Sequence, residues 1–67
     1  MAAKKLILTP SQGRVIDALC ELGQTDLVAR KLKISIRTVE AHVTAALKVN
    51  KYPNRLMLVL AKDRENR

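Results

Sequence analysis

Apolar and polar positions follow one another with helical spacing. Val15, Ile16, Ala18, Leu19 and Leu22 recur at i, i+1, i+3, i+4 and i+7, the stripe of an amphipathic helix, with Arg14, Asp17 and Glu21 on the wet side. Just upstream, Thr9 can cap, Pro10 suits the first helical position because its missing N–H costs nothing there, and Gln12 completes a capping box. Gly23 stops this first helix through its tolerance of the left-handed conformation. Thr25 is expected to cap a short second helix, with Asp26 in its first turn, Leu27, Val28 and Leu32 on its apolar side, and Ala29 where two helices can cross closely. Lys33-Ile34 reads as a turn and Ser35 as the cap of a third helix that must stop before Pro53; Asn54 can cap a fourth that runs through Arg64.

The third helix divides into two faces. Ile36, Val39, Val43, Ala46 and Leu47 are expected to pack, while Arg37, Glu40, Ala41, Thr44, Lys48 and Lys51 lie on the other side. The polar face suits the major groove of duplex DNA: Thr44 can donate or accept at a base edge, Ala41 can meet a thymine methyl, and Glu40 can accept from a cytosine amino group. Glu40 can equally orient Arg37 by an i,i+3 contact. The Ser35 cap turns free N–H groups toward an anion, a ready phosphate site. His42 sits between the faces, where a packed or phosphate-touching imidazole is favoured over a metal ligand or a base.

The fourth helix is apolar almost all round, from Leu56 to Ala61. With Leu56, Val59 and Leu60 directed at the first and third helices, Met57, Leu58 and Ala61 are left outside as a subunit interface. The competing reading is a helix central to a small core. The charged residues from Lys62 onward are expected to fray.

Composition narrows the picture. Sixty-seven residues make one domain, and a chain of this length buries only roughly 60% of its unfolded surface. With Tyr52 as the one aromatic residue, Leu, Ile, Val, Ala and Met must build the core, which favours an all-helical fold. Thirteen Lys and Arg against six Asp and Glu give +7, an excess that suits a polyanion or an anionic membrane surface, although a merely soluble basic domain has the same arithmetic. Cys20 is single, which excludes an intramolecular disulfide and makes a cytoplasmic location the default, whether at a bacterial nucleoid or in a host cell if the protein is viral. No signal segment or membrane span is legible. One His, one Cys and two Ser without clustered carboxylates or a Gly-rich loop speak against an enzyme, and no metal or cofactor is expected. The scarcity of aromatic residues also disfavours single-stranded nucleic acid.

Leu8-Thr9-Pro10, then Val28-Ala29-x-x-Leu32-x-Ile34-Ser35-x-x-Thr38-Val39-x-x-His42, then Arg55 before an apolar helix, together resemble the LuxR-type, or GerE-like, helix-turn-helix domain over about residues 8 to 61. The resemblance implies a four-helix bundle with the second and third helices as the helix-turn-helix and the fourth as the dimerisation helix. It further implies a transcription regulator that binds duplex DNA as a homodimer on inverted half-sites. Glu40, Ala41 and Thr44 match positions that reach base edges; Ser35, Arg37, Thr38, Lys48 and Lys51 match positions at or near phosphates. The domain then spans 8–64, between a basic arm of residues 1–7 that can fray or follow a phosphate strand, and a tail of 65–67. Several residues depart from the pattern. Gln12 and Arg14 replace acidic residues, Leu27 a capping Glu, Lys33 a frequent turn Gly at a cost of roughly 1 to 2 kcal/mol if left-handed, and Asn50 an apolar residue.

The rival expectation is a protein-interaction module that binds an acidic partner through its basic face, or pairs through the fourth helix with a larger regulator and blocks it. A membrane-surface role ranks third, because the fourth helix lacks a sufficiently basic polar face. Contact with the transcription machinery, the operator, and whether the chain stands alone or is a piece of a larger regulator are not legible.

Overall fold

The computed structural model describes residues 6–66, so most of the basic arm lies outside the described residues. The order is α1 (Pro10–Leu22), α2 (Thr25–Leu32), α3 (Ile36–Asn50) and α4 (Arg55–Asn66), with no strand among the described residues. None of these helices is long and apolar enough to cross a membrane.

Local chemistry sets most helix ends. Thr9 caps α1 with both halves of the capping box, its hydroxyl accepting from Gln12 N at 3.1 Å and the Gln12 side chain accepting from Thr9 N at 3.1 Å. Gly23 closes α1 at φ 78°. Ser35 caps α3 by accepting from Thr38 N, and Asn54 serves α4 by accepting from Met57 N. Thr25 is not a cap: the N-cap of α2 is Gln24, which makes no side-chain cap hydrogen bond, and Thr25 is the first helical residue.

Two lysines end helices where glycine is the easy choice. Lys33 (φ 57°) follows α2 and Lys51 (φ 58°) follows α3, each a left-handed residue costing about 1 to 2 kcal/mol. In both places the next residue packs an apolar body and its N–H reaches back five residues, Ile34 N to Ala29 O at 3.0 Å and Tyr52 N to Leu47 O at 3.1 Å. Ile34 and Tyr52 then pack against the core, which offsets the strain.

α1 is the hub, touching the other three helices; α2 also meets α3, α3 also meets α4, and α2 and α4 do not meet. The largest fully buried side chains, Ile16, Val28, Val39 and Leu58, come one from each helix. Burying each stabilises by about 1.5 to 3 kcal/mol. Val15, Ala18, Leu19, Ala29, Val43 and Ala46 complete the centre of the core, as the stripes of α1 and α3 predict. Two expected packing residues are instead half outside: Ile36 is 50% exposed at the first position of α3, and Leu27 37% on α2.

α4 is rotated from the phase expected, although Val59 packs against the core and Met57 lies outside as expected. Leu58 is fully buried and Ala61 half-buried against the core, while Leu56 and Leu60, expected inside, are 66% and 50% exposed. Of the three residues assigned to the interface only Met57 lies on the outer face. Lys62 shares that inner side, one turn beyond Leu58: it is 8% exposed, and its ammonium lies 3.1 Å from Asp17 on α1. It also donates to Asn66 at 3.0 Å and approaches Glu65 at 3.7 Å, while Asn66 donates to Asp17 at 2.7 Å. The C-terminal residues expected to fray are thus helical and tied to α1 as far as Asn66.

Leu6 and Ile7, expected in the arm, are held by side chains far along the sequence, Glu65 and Asn50. Leu6 is buried and its N–H reaches Glu65 at 3.3 Å. The Asn50 side chain clasps Ile7, accepting from its N–H at 2.7 Å and donating to its carbonyl at 3.0 Å, while also donating to Ala46 O at 2.8 Å. The 3% exposure of Asn50 is therefore that of a fully bonded polar group, which explains an amide where an apolar residue is expected.

Candidate nucleic-acid interface

α3 presents its polar side to solvent for its whole length. Arg37, Ala41, Thr44 and Lys48 are exposed along one stripe, with Lys51 exposed where the helix ends. At 1.5 Å per residue, Arg37 and Lys48 are roughly 16 Å apart along the axis. A major groove is about 12 Å wide, so a helix of these dimensions can hold a cation near each phosphate rim with Ala41 and Thr44 between them.

The ion pairs leave this stripe basic. Asp17 and Glu65 meet Lys62, Glu21 meets Lys31 at 2.9 Å, and Glu40 meets Arg55 at 3.2 Å. Among the described residues, Arg37, Lys48, Lys51 and the neighbouring Lys33 and Arg30 enter no ion pair. These cations have no internal anion to lose when a phosphate arrives, whereas Lys31, of the three basic residues at the end of α2, is already engaged.

Glu40 stands differently from its expected neighbours. Its carboxylate is held by Arg55 at the start of α4 and not by Arg37, and the side chain is 46% exposed. The pair neutralises the one acid on α3 and joins the start of α4 to the second turn of α3; at this exposure such a bridge contributes about 0 to 1 kcal/mol. Arg55 lies fifteen residues on, so no local pattern signals the partnership.

Ser35 and Thr38 form a hydroxyl pair at the start of α3. Their oxygens are 2.9 Å apart, and Ser35 Oγ also accepts from Thr38 N at 3.0 Å. One O–H is consumed between them and the other is left to donate outward, a geometry suited to an acceptor such as a phosphate oxygen. At the other end of α3, Thr44, Leu47, Lys48, Lys51, Tyr52 and Pro53 line a shallow open groove of about 520 Å³ with two ammonium groups on its rim.

Cys20 is half-buried and its thiol donates to Val59 O at 3.4 Å. Burial pushes its pKa up, and the carboxylates of Asp17 and Asp63 push it further, so the thiolate is disfavoured and the residue acts as a core filler between α1 and α4. Comparison of the chain with protein-family models, with curated proteins and with solved structures finds no match, so the reading of this interface rests on the residues themselves.

Proposed function

We propose that this chain is a sequence-specific duplex-DNA-binding regulator of transcription, with α2, the Lys33-Ile34 turn and α3 acting as a LuxR-type helix-turn-helix. The observation that carries the reading is the exposed α3 stripe, in which unpaired cations bracket small groups suited to base edges. Ala41 and Thr44 read bases; Ser35, Arg37, Thr38, Lys48 and Lys51 hold phosphates. Glu40 belongs to the reading set through its position, with its pairing to Arg55 restricting it to sequences that compensate for a broken bridge. None of the readers is a bidentate Arg, so discrimination comes from shape and from many small terms.

The apolar outer side of α4, formed by Leu56, Met57 and Leu60, supports a homodimer. Two copies then place two α3 helices on inverted half-sites, about one helical turn or 34 Å apart. The same exposed face supports a second reading, a small module that pairs with a larger regulator and blocks it.

Selection of binding sites from random duplex DNA at physiological salt tests the two. An enriched inverted motif is expected of the regulator; recovery of unenriched DNA with salt-labile binding is expected of the module and contradicts the regulator.

A further inference from the structure

A small cavity is lined by none of the residues assigned above to DNA. It is about 130 Å³ and is lined by Ser11, Arg14 and Val15 of α1, Leu32 and Ile34 at the end of α2, and His42 of α3. Three polar side chains from two helices therefore converge over an apolar floor of Val15, Leu32 and Ile34. None of the three polar side chains has a hydrogen bond or ion pair with another described residue.

We propose that this cavity is a binding site for a single phosphate group, distinct in its residues from the DNA contacts assigned above. Arg14 supplies the charge and a planar fork that matches two phosphate oxygens. Ser11 of α1 and the ring N–H of His42 of α3 supply further donors. No carboxylate lines the cavity, which disfavours a cation, and Asp17, one turn beyond Arg14, is held by Lys62 and Asn66 and does not claim the guanidinium. Size limits the ligand. Sites for drug-sized molecules occupy roughly 300 to 1,000 Å³, so this one takes a phosphate group and leaves whatever bears it outside.

The phosphate can be a free or terminal phosphate, or one from the backbone of a bound nucleic acid, and the test distinguishes these sources. The full chain is titrated with inorganic phosphate against chloride at matched ionic strength, and binding is followed by amide-resolved NMR. Saturable shifts centred on Ser11, Arg14, Ile34 and His42, with phosphate affinity reduced at least about tenfold in Arg14→Gln, are the expected result. Ser11→Ala, at an exposed position, should weaken phosphate binding without altering the unperturbed spectrum elsewhere, which separates loss of the site from loss of the fold. In a parallel arm, the salt dependence of duplex binding is compared between wild type and Arg14→Gln. A slope lower by about 0.9 assigns the phosphate to a DNA backbone, and an unchanged slope beside saturable phosphate shifts assigns it to a free ligand. Shifts no larger or more localised than those from chloride, with the same slope in both proteins, overturn the proposal. Because the titration contains no DNA, it can succeed or fail whatever becomes of the DNA-binding reading.

Discussion

Replacing Asn50 with Ala removes three hydrogen bonds at once, two to Ile7 and one to Ala46, from a side chain that is 3% exposed. At about 1 kcal/mol net each, the upper estimate of the loss is about 3 kcal/mol. Ile7 is 61% exposed, so its freed N–H and carbonyl return to water and escape the full penalty of an unpaired buried group. That brings the expected loss to about 2 kcal/mol. A domain of this size has roughly 3 to 10 kcal/mol in all and loses roughly 4 to 8 °C of Tm per kcal/mol, so the midpoint should fall by roughly 8 to 16 °C. Thermal unfolding followed by far-ultraviolet circular dichroism measures the fall, and amide hydrogen exchange at Ile7 should lose its protection before the rest of the core. Asn50→Leu is the sharper control, because an apolar residue is what the sequence pattern favours there. Leu contributes burial and forfeits the clasp, so it too should lie below wild type. An Asn50→Ala midpoint within about 3 °C of wild type, or an Asn50→Leu protein above it, would refute the clasp as a net stabiliser.

Lys33→Gly relieves a left-handed residue of about 1 to 2 kcal/mol of strain but adds unfolded-state entropy of about 0.4 to 1 kcal/mol; a net gain of about 0.5 to 1 kcal/mol is expected in urea unfolding, and a loss would contradict the strain argument. Partial burial raises the Asp17 pKa, but hydrogen bonds from Asn66 and Lys62 and the charge of Lys62 outweigh it, so the folded protein holds this carboxyl below its ordinary value. A depressed carboxyl pKa stabilises the fold above the unfolded value and is lost as pH falls through the folded one, so stability should drop below about pH 4, and Asp17→Asn should flatten that slope in an acid titration of the unfolding midpoint. Thr44→Ala should change preference at one or two base pairs, whereas Lys48→Gln should weaken all duplexes alike and reduce the salt slope by about 0.9, both read by fluorescence anisotropy. Leu60→Glu should leave the monomer folded and abolish dimers in sedimentation; dimers that persist would remove the outer face of α4 from the interface.

Where a residue's partner is near in sequence, its role was mostly legible, with Thr25, which starts α2 instead of capping it, the exception. The capping box of Thr9, the Ser35 and Asn54 caps and the Gly23 stop depend on groups within a few residues, and all four act as expected. The stripe on α1 marks the core because its spacing admits one phase. Six successive apolar residues on α4 admit several, and the phase adopted sets Lys62 against Asp17, forty-five positions away in the chain, a pairing no local pattern signals. The Asn50 clasp on Ile7, across forty-three positions, was hidden for the same reason. On α3, the exposed placement of Arg37, Ala41, Thr44 and Lys48 followed from periodicity, but the Arg55 bridge that holds Glu40 did not.

The central claim is that α3 distinguishes one duplex from another. Its most direct test compares affinity for a duplex carrying the motif recovered by random-site selection with affinity for the same duplex scrambled, at about 150 mM salt. The account predicts tighter binding to the motif by about a thousandfold or more, while equal affinity for the two would contradict it.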